Sequence, residues 1–190
     1  MKRKLILKAC MAVLVALVGL SLVSCNDDYE PIPVKLEDVP GNYKAKLITT
    51  QGNKKTEKIT DFEAKKDTIK FDDFQVERIV KTVIADPVKA EAAIVAIGKV
   101  KYNLNYTSKI DTQNNVVELT FAPKVLELNI PVDGTNKNTK VTFKDNQRGF
   151  YVGQDWSLRF GLIAEKIEVD GVQLTPYEVI KYDFPYCLKK

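Results

Sequence analysis

The stretch Ile167-Glu168-Val169-Asp170-Gly171-Val172-Gln173-Leu174 decides the fold class. Ile167 and Val169 alternate with polar neighbours, Asp-Gly follows, and Val172 and Leu174 resume the alternation. Period-two patterning gives a strand one apolar and one wet face, and Asp-Gly accepts the left-handed backbone that a two-residue hairpin turn requires. The same grammar runs outward in both directions. Trp156, Leu158, Phe160 and Leu162 alternate upstream, a pattern that puts Trp156 in the core, and Tyr177 to Tyr186 ends the chain as a further strand. Before them, Leu126, Leu128, Ile130 and Val132 lead through Asp133-Gly134 toward Val141 and Phe143, and Asn146 to Gly149 reads as another turn. Val100, Tyr102, Leu104 and Tyr106 alternate with polar residues, and a turn over 111–115 leads into Val117, Leu119 and Phe121. Near the start, Asn42 to Thr49, Lys54 to Thr60 and Asp67 to Phe71 are strand-like, the first two joined by Gln51-Gly52-Asn53.

One interval breaks this period. Val76, Ile79, Val80, Val83 and Ile84 fall on one stripe of a helix, with Asp72 or Asp73 expected as its N-cap. Asp86-Pro87 then reads as a cap followed by proline at the first helical position, and an alanine-rich helix from Val88 stops at Gly98. The expected fold is α+β: a predominantly antiparallel sandwich or barrel of about nine strands with a short two-helix insertion near 74–97. Residues 41–190 are expected to form a single β-rich domain.

Upstream of it the composition changes twice. Residues 1–24 carry Lys2-Arg3-Lys4 followed by an apolar or small run from Ala9 to Val23, which is short for a membrane span of about 20 residues and right for an export signal. The run ends in Leu22-Val23-Ser24-Cys25, which resembles the bacterial lipobox. That resemblance implies cleavage before Cys25, acylation of its thiol and new amino group, and a membrane partner reached through this lipid anchor. Residues 25–40, with Asp27, Asp28, Glu30, Pro31 and Pro33, read as an acidic, proline-bearing tether. The acids directly after Cys25 are similar to the surface-export signal of Bacteroidetes lipoproteins, so the expected location is the outer membrane of a cell envelope, surface-exposed. Cys10 would leave with the signal and Cys25 would carry lipid, so Cys187 has no disulfide partner and is expected to be a small core residue.

Charge and composition narrow the chemistry. The first 24 residues hold four of the 29 basic residues and no acid, so the remainder balances 25 bases against 25 acids. A neutral domain offers no electrostatic footprint for nucleic acid, which is excluded as a partner. The chain has no histidine, which removes His-based triads, the commonest general base and imidazole-dependent zinc sites. Beyond Cys25 the serines are Ser108 and Ser157, and neither sits in Gly-x-Ser-x-Gly. Asp133-Gly134-Thr135-Asn136 opens like a calcium loop but lacks its closing Glu, and a hairpin turn explains it. No metal site, no cofactor and no catalytic residue are therefore expected. The acid pairs that a carboxylate hydrolase would need are Asp61 with Glu63 and Asp72 with Asp73, each also readable as solvated charge or helix cap. Tyr151, Asp155 and Arg159 would share one face of a continuous strand, either as a candidate ligand face for a glycan or as an ordinary ion pair.

The lipobox, the acidic tether, Lys70-Phe71-Asp72-Asp73-Phe74, the Tyr102 to Tyr106 strand, Gly153-Gln154-Asp155-Trp156-Ser157-Leu158-Arg159-Phe160 and Asp183-Phe184-Pro185-Tyr186 together resemble a group of Bacteroidetes lipoproteins classed as a domain of unknown function. The resemblance implies an envelope lipoprotein and supplies no activity. Gly41-Asn42-Tyr43 also resembles the Gly-x-Trp opening of lipocalins, with Tyr for Trp. The expected function is a lipid-anchored, non-catalytic binding or accessory module for a glycan or protein ligand. The alternatives are a structural subunit of an envelope assembly and a carboxylate-based hydrolase.

Overall fold

A computed structural model describes residues 32–190; the expected signal segment, Cys25 and most of the expected tether lie outside the described residues. There are ten strands: β1 (Gly41–Gln51), β2 (Lys54–Ala64), β3 (Thr68–Phe71), β4 (Tyr102–Asp111), β5 (Val116–Pro123), β6 (Leu126–Val132), β7 (Thr135–Val152), β8 (Ser157–Val169), β9 (Val172–Gln173) and β10 (Ile180–Lys189), and buried and exposed side chains alternate along much of β1, β3, β4, β5 and β6. The helices are α1 (Glu77–Val83) and α2 (Pro87–Ile97). Pairing is antiparallel in the order β6-β7-β5-β4-β3-β2-β1-β10-β8-β9, and an additional β7–β8 pairing closes eight strands into a barrel. The sandwich alternative is thereby settled in favour of the barrel, with β6 and β9 as strands beyond its wall.

Closure depends on β7. Its first part pairs with β6 and its last part with β5, while β8 follows it from Thr139↔Val169 to Val152↔Ser157. The expected turn at Asn146 to Gly149 is instead part of this strand, marked by register shifts between Thr142 and Phe150. Such bulges bend a strand and raise its twist, which lets a flat ladder curl into a closed wall. The Asp-Gly turns form as their chemistry dictates, with φ of 50° and 78° at Asp133-Gly134 and 52° and 83° at Asp170-Gly171.

Aromatic side chains fill the interior. Phe160 and Phe184 stack with centroids 4.3 Å apart, and Phe62 stands edge-on to both at 5.7 and 6.2 Å. Phe74 meets Phe71, Tyr102, Phe143 and Tyr182 at 4.9 to 5.6 Å. An eight-stranded barrel is just wide enough for side chains to fill, and these rings do so.

The two ends of the barrel differ. At one, which we call the helix end, Ile79 and Val80 of α1 and Ala90 and Ala93 of α2 are buried, and Gln51 Nε2 donates to Thr82 Oγ1 at 2.9 Å. Asp86 caps α2 as expected, accepting from the amides of Val88 and Lys89, and Gly98 ends it at φ 66°. The cap expected at Asp72 or Asp73 is not formed: α1 begins after Val76 with no side-chain cap, because Phe74 is drawn into the core first. At the other, the tether end, residues 32–40 cross the turns. Asn115 binds the Val34 amide and the Ile32 carbonyl, Tyr43 donates to the Val39 carbonyl, and Lys189 donates to that of Asp38. Gly153 has no Cβ because Val34 occupies that space.

Candidate functional site

Strand β3 has only four residues, and this shortness creates a cleft. It pairs with β2 at Glu63↔Lys70 and Ala64↔Ile69 alone, whereas β1 follows β2 along its whole length. After Phe71 the chain leaves the sheet: the Phe74 amide bonds the Val100 carbonyl at 2.7 Å and the Phe74 ring turns inward. From Lys54 to Phe62, β2 therefore has no second strand beside it among the described residues. Lys58 spans the gap at its upper end, reaching Gln75 Oε1 at 3.1 Å and the Glu77 carboxylate.

Below that bridge the cleft has a volume of about 670 Å³. Its walls carry Asp61 and Glu63 from β2, Asp72, Asp73 and Gln75 from the departing segment, and Asn42, Lys99 and Lys190 at the rim. Both acid pairs singled out in the sequence thus line one cleft. Lys190 holds Asp61 at 2.9 Å and Lys65 holds Glu63 at 3.5 Å, while Asp72 and Asp73 are exposed with no cation partner among the described residues. Among those residues, no set of three or more Cys, Asp or Glu side chains is placed to hold a metal ion.

The face expected from Tyr151, Asp155 and Arg159 does not exist as drawn. β7 ends at Val152 and β8 begins at Ser157, so a turn interrupts the strand and the even spacing no longer sets the side. Tyr151 is buried, whereas Asp155 and Arg159 form an ion pair on the outer surface. Asp155 also accepts from the Ser157 hydroxyl at 2.6 Å and amide at 3.1 Å, and Arg159 Nε donates to that hydroxyl at 3.1 Å. Partial burial works against the Asp155 charge, but the Ser157 hydrogen bonds and the guanidinium outweigh it and hold its carboxyl below the usual range. The guanidinium also lies 5.8 Å from the centre of the Tyr186 ring. This network satisfies itself and leaves few groups for a ligand.

Trp156 is likewise not in the core. It sits in the 153–156 turn at φ 57° and is 62% exposed. Cys187 is free and buried, and burial pushes its thiol pKa far up, so it is an inert core residue. The cleft itself was not foreseen; its signal was the brevity of Thr68 to Phe71, followed at once by Asp72-Asp73.

Comparison with curated proteins and with solved structures found no match. Comparison with protein families matches residues 38–169, from the tether end through the whole of β8, to a domain of unknown function, DUF4840. The chain belongs to the DUF4840 family.

Proposed function

We propose that this protein is a lipid-anchored, non-catalytic binding module of a Bacteroidetes cell envelope, held at the outer membrane through Cys25 and exposed at the surface, with a glycan as its ligand in the cleft beside β2. The observation that carries the reading is that cleft. The barrel interior is packed with rings, so a ligand must bind outside, and the cleft volume falls in the range of small-molecule sites. Its lining is polar and mixed: carboxylates of Asp72 and Asp73 accept, Lys99 donates, and the amides of Asn42 and Gln75 do both. Sugar hydroxyls are themselves donors and acceptors, so this lining complements them.

The anchor rests on Leu22-Val23-Ser24-Cys25. More than one acyl chain is needed for stable anchoring, and the lipobox resemblance implies them. Labelled palmitate should enter the wild-type protein and not Cys25→Ser, which should remain uncleaved or leave the membrane fraction. Acylation of the Cys25→Ser chain would defeat the anchor reading. For the ligand, a glycan array and a hydrolase substrate panel should be run on residues 26–190. Retention of a glycan without turnover, abolished by Asp72→Asn with Gln75→Ala, is the expected result.

The convergence of four carboxylates on one cleft favours a second reading, a hydrolase. Turnover that Asp61→Asn or Glu63→Gln abolishes in the same panel would put it first. Silence in both assays would favour a structural subunit of an envelope assembly.

A further inference from the structure

Trp156 is unexplained by the fold. A large aromatic residue in the left-handed region is uncommon and unfavourable, and one that is also mostly exposed gains little packing in return. Backbone outliers of this kind point to a role outside the fold. Other exposed apolar side chains share its end of the barrel, among them Ile32 and Leu36 on the crossing segment, Ile110 at the end of β4 and Leu188 on β10. Their placement is fixed by contacts. Leu188 pairs with Ser157, the neighbour of Trp156; Gly153, in the Trp156 turn, packs on Val34 and bonds the Asn115 carbonyl; and Asn115 holds Ile32. The exposed large apolar residues of the helix end, such as Val88, Val95, Val125 and Val172, are all valines, with no aromatic among them.

We infer that the tether end is a membrane-contacting surface, with Trp156, Ile32, Leu36 and Leu188 seated in the headgroup region of a bilayer. This rests on the proposed anchor at Cys25. Ile32 follows Cys25 by seven residues, which fully extended span at most about 25 Å. The end of the barrel at which the chain arrives from Cys25 is thus the one bearing tryptophan and the larger aliphatic residues, the side chains that favour a membrane–water interface. Acids and bases mix there, with Lys35, Lys189 and Lys190 beside Glu37, Asp38 and Asp155. Contact is therefore apolar and does not depend on anionic lipid or on salt.

Trp156 is the sole tryptophan and reports on its own surroundings. The full acylated chain should be reconstituted into phosphatidylcholine vesicles, with and without lipid brominated near the headgroup, and floated. The expected result is cofloating protein whose emission is shifted to shorter wavelength, quenched severalfold by bromine, shielded from acrylamide and unchanged by phosphatidylglycerol or high salt. Cofloating protein with unquenched, fully solvated Trp156 overturns the docking surface while leaving the anchor standing. Failure to float overturns the anchor and the docking surface with it. A Trp156 response to soluble oligosaccharide in detergent, with none to the bilayer, assigns the residue to a ligand and also overturns the inference.

Discussion

Phe160→Ala probes whether the barrel is solid. Phe160 is 1% exposed, stacks on Phe184 at 4.3 Å, and meets Phe121 at 5.4 Å and Phe62 at 5.7 Å. Truncating a ring in such a site removes its transfer free energy and leaves a cavity, a loss of about 3–5 kcal/mol. Phe160→Leu separates the two contributions: it restores most of the apolar volume and forfeits three ring pairings, so its loss should be about 2 kcal/mol. A domain of this size is stable by about 5–15 kcal/mol, so both losses move the transition well. Urea unfolding followed by far-ultraviolet circular dichroism should show the midpoint falling in that order with an unchanged slope. A loss under about 1 kcal/mol for Phe160→Ala would contradict a tightly packed interior. The interior would then be loosely filled, a lipocalin-like internal ligand would fit, and the case for a site outside the barrel would lose its premise.

Val80, fully buried on α1, should not tolerate a charge: Val80→Asp should cost several kcal/mol, and an unaltered melting temperature would show that α1 does not seal the helix end. Asp155 gives a pH signature. Partial burial opposes its ionisation, but the Ser157 hydrogen bonds and Arg159 prevail and depress its folded pKa, so its contribution is present above the unfolded value of about 4 and is lost as pH falls through the folded one. Asp155→Asn should therefore flatten the acid limb of a stability–pH profile, and an unchanged limb would show that the network is slack. Burial raises the phenol pKa of Tyr43, Tyr102 and Tyr182, and that of Tyr106 to about 12. Stability tied to these groups is full below an unfolded pKa of about 10 and is lost as pH rises toward the folded values. Phenolate absorbance from them should thus appear together with alkaline unfolding, and its appearance before unfolding would contradict their burial.

Local chemistry made much of this fold legible. Asp133-Gly134 and Asp170-Gly171 specify hairpins because their own backbone preferences do, and Asp86-Pro87 announces α2 for the same reason. The helical insertion was visible in the period change at Val76, although its cap was misplaced because the burial of Phe74 outcompetes the capping preference of Asp72 and Asp73. Long-range facts were hidden. Nothing near β1 or β10 says that Tyr43 pairs with Lys189, and nothing near β5 says that it pairs with β7 past β6, yet these pairings make a closed barrel in place of a sandwich. Strand parity failed at Tyr151 and Trp156 because the 153–156 turn resets which side faces inward. The cleft was least legible, since it comes from a pairing that stops after Lys70 and Ile69, although the acids that line it had been singled out.

The most direct test of the account is a map of amide chemical shifts in residues 26–190 as the oligosaccharide retained most strongly on a glycan array is added. Saturable shifts confined to Ile59–Glu63 and Asp72–Gln75 are expected, with Phe160, Tyr182 and the interior positions outside those two segments unmoved and the sugar recovered intact. Shifts spread through the interior, or centred on the turn at Trp156 with the cleft silent, would contradict it.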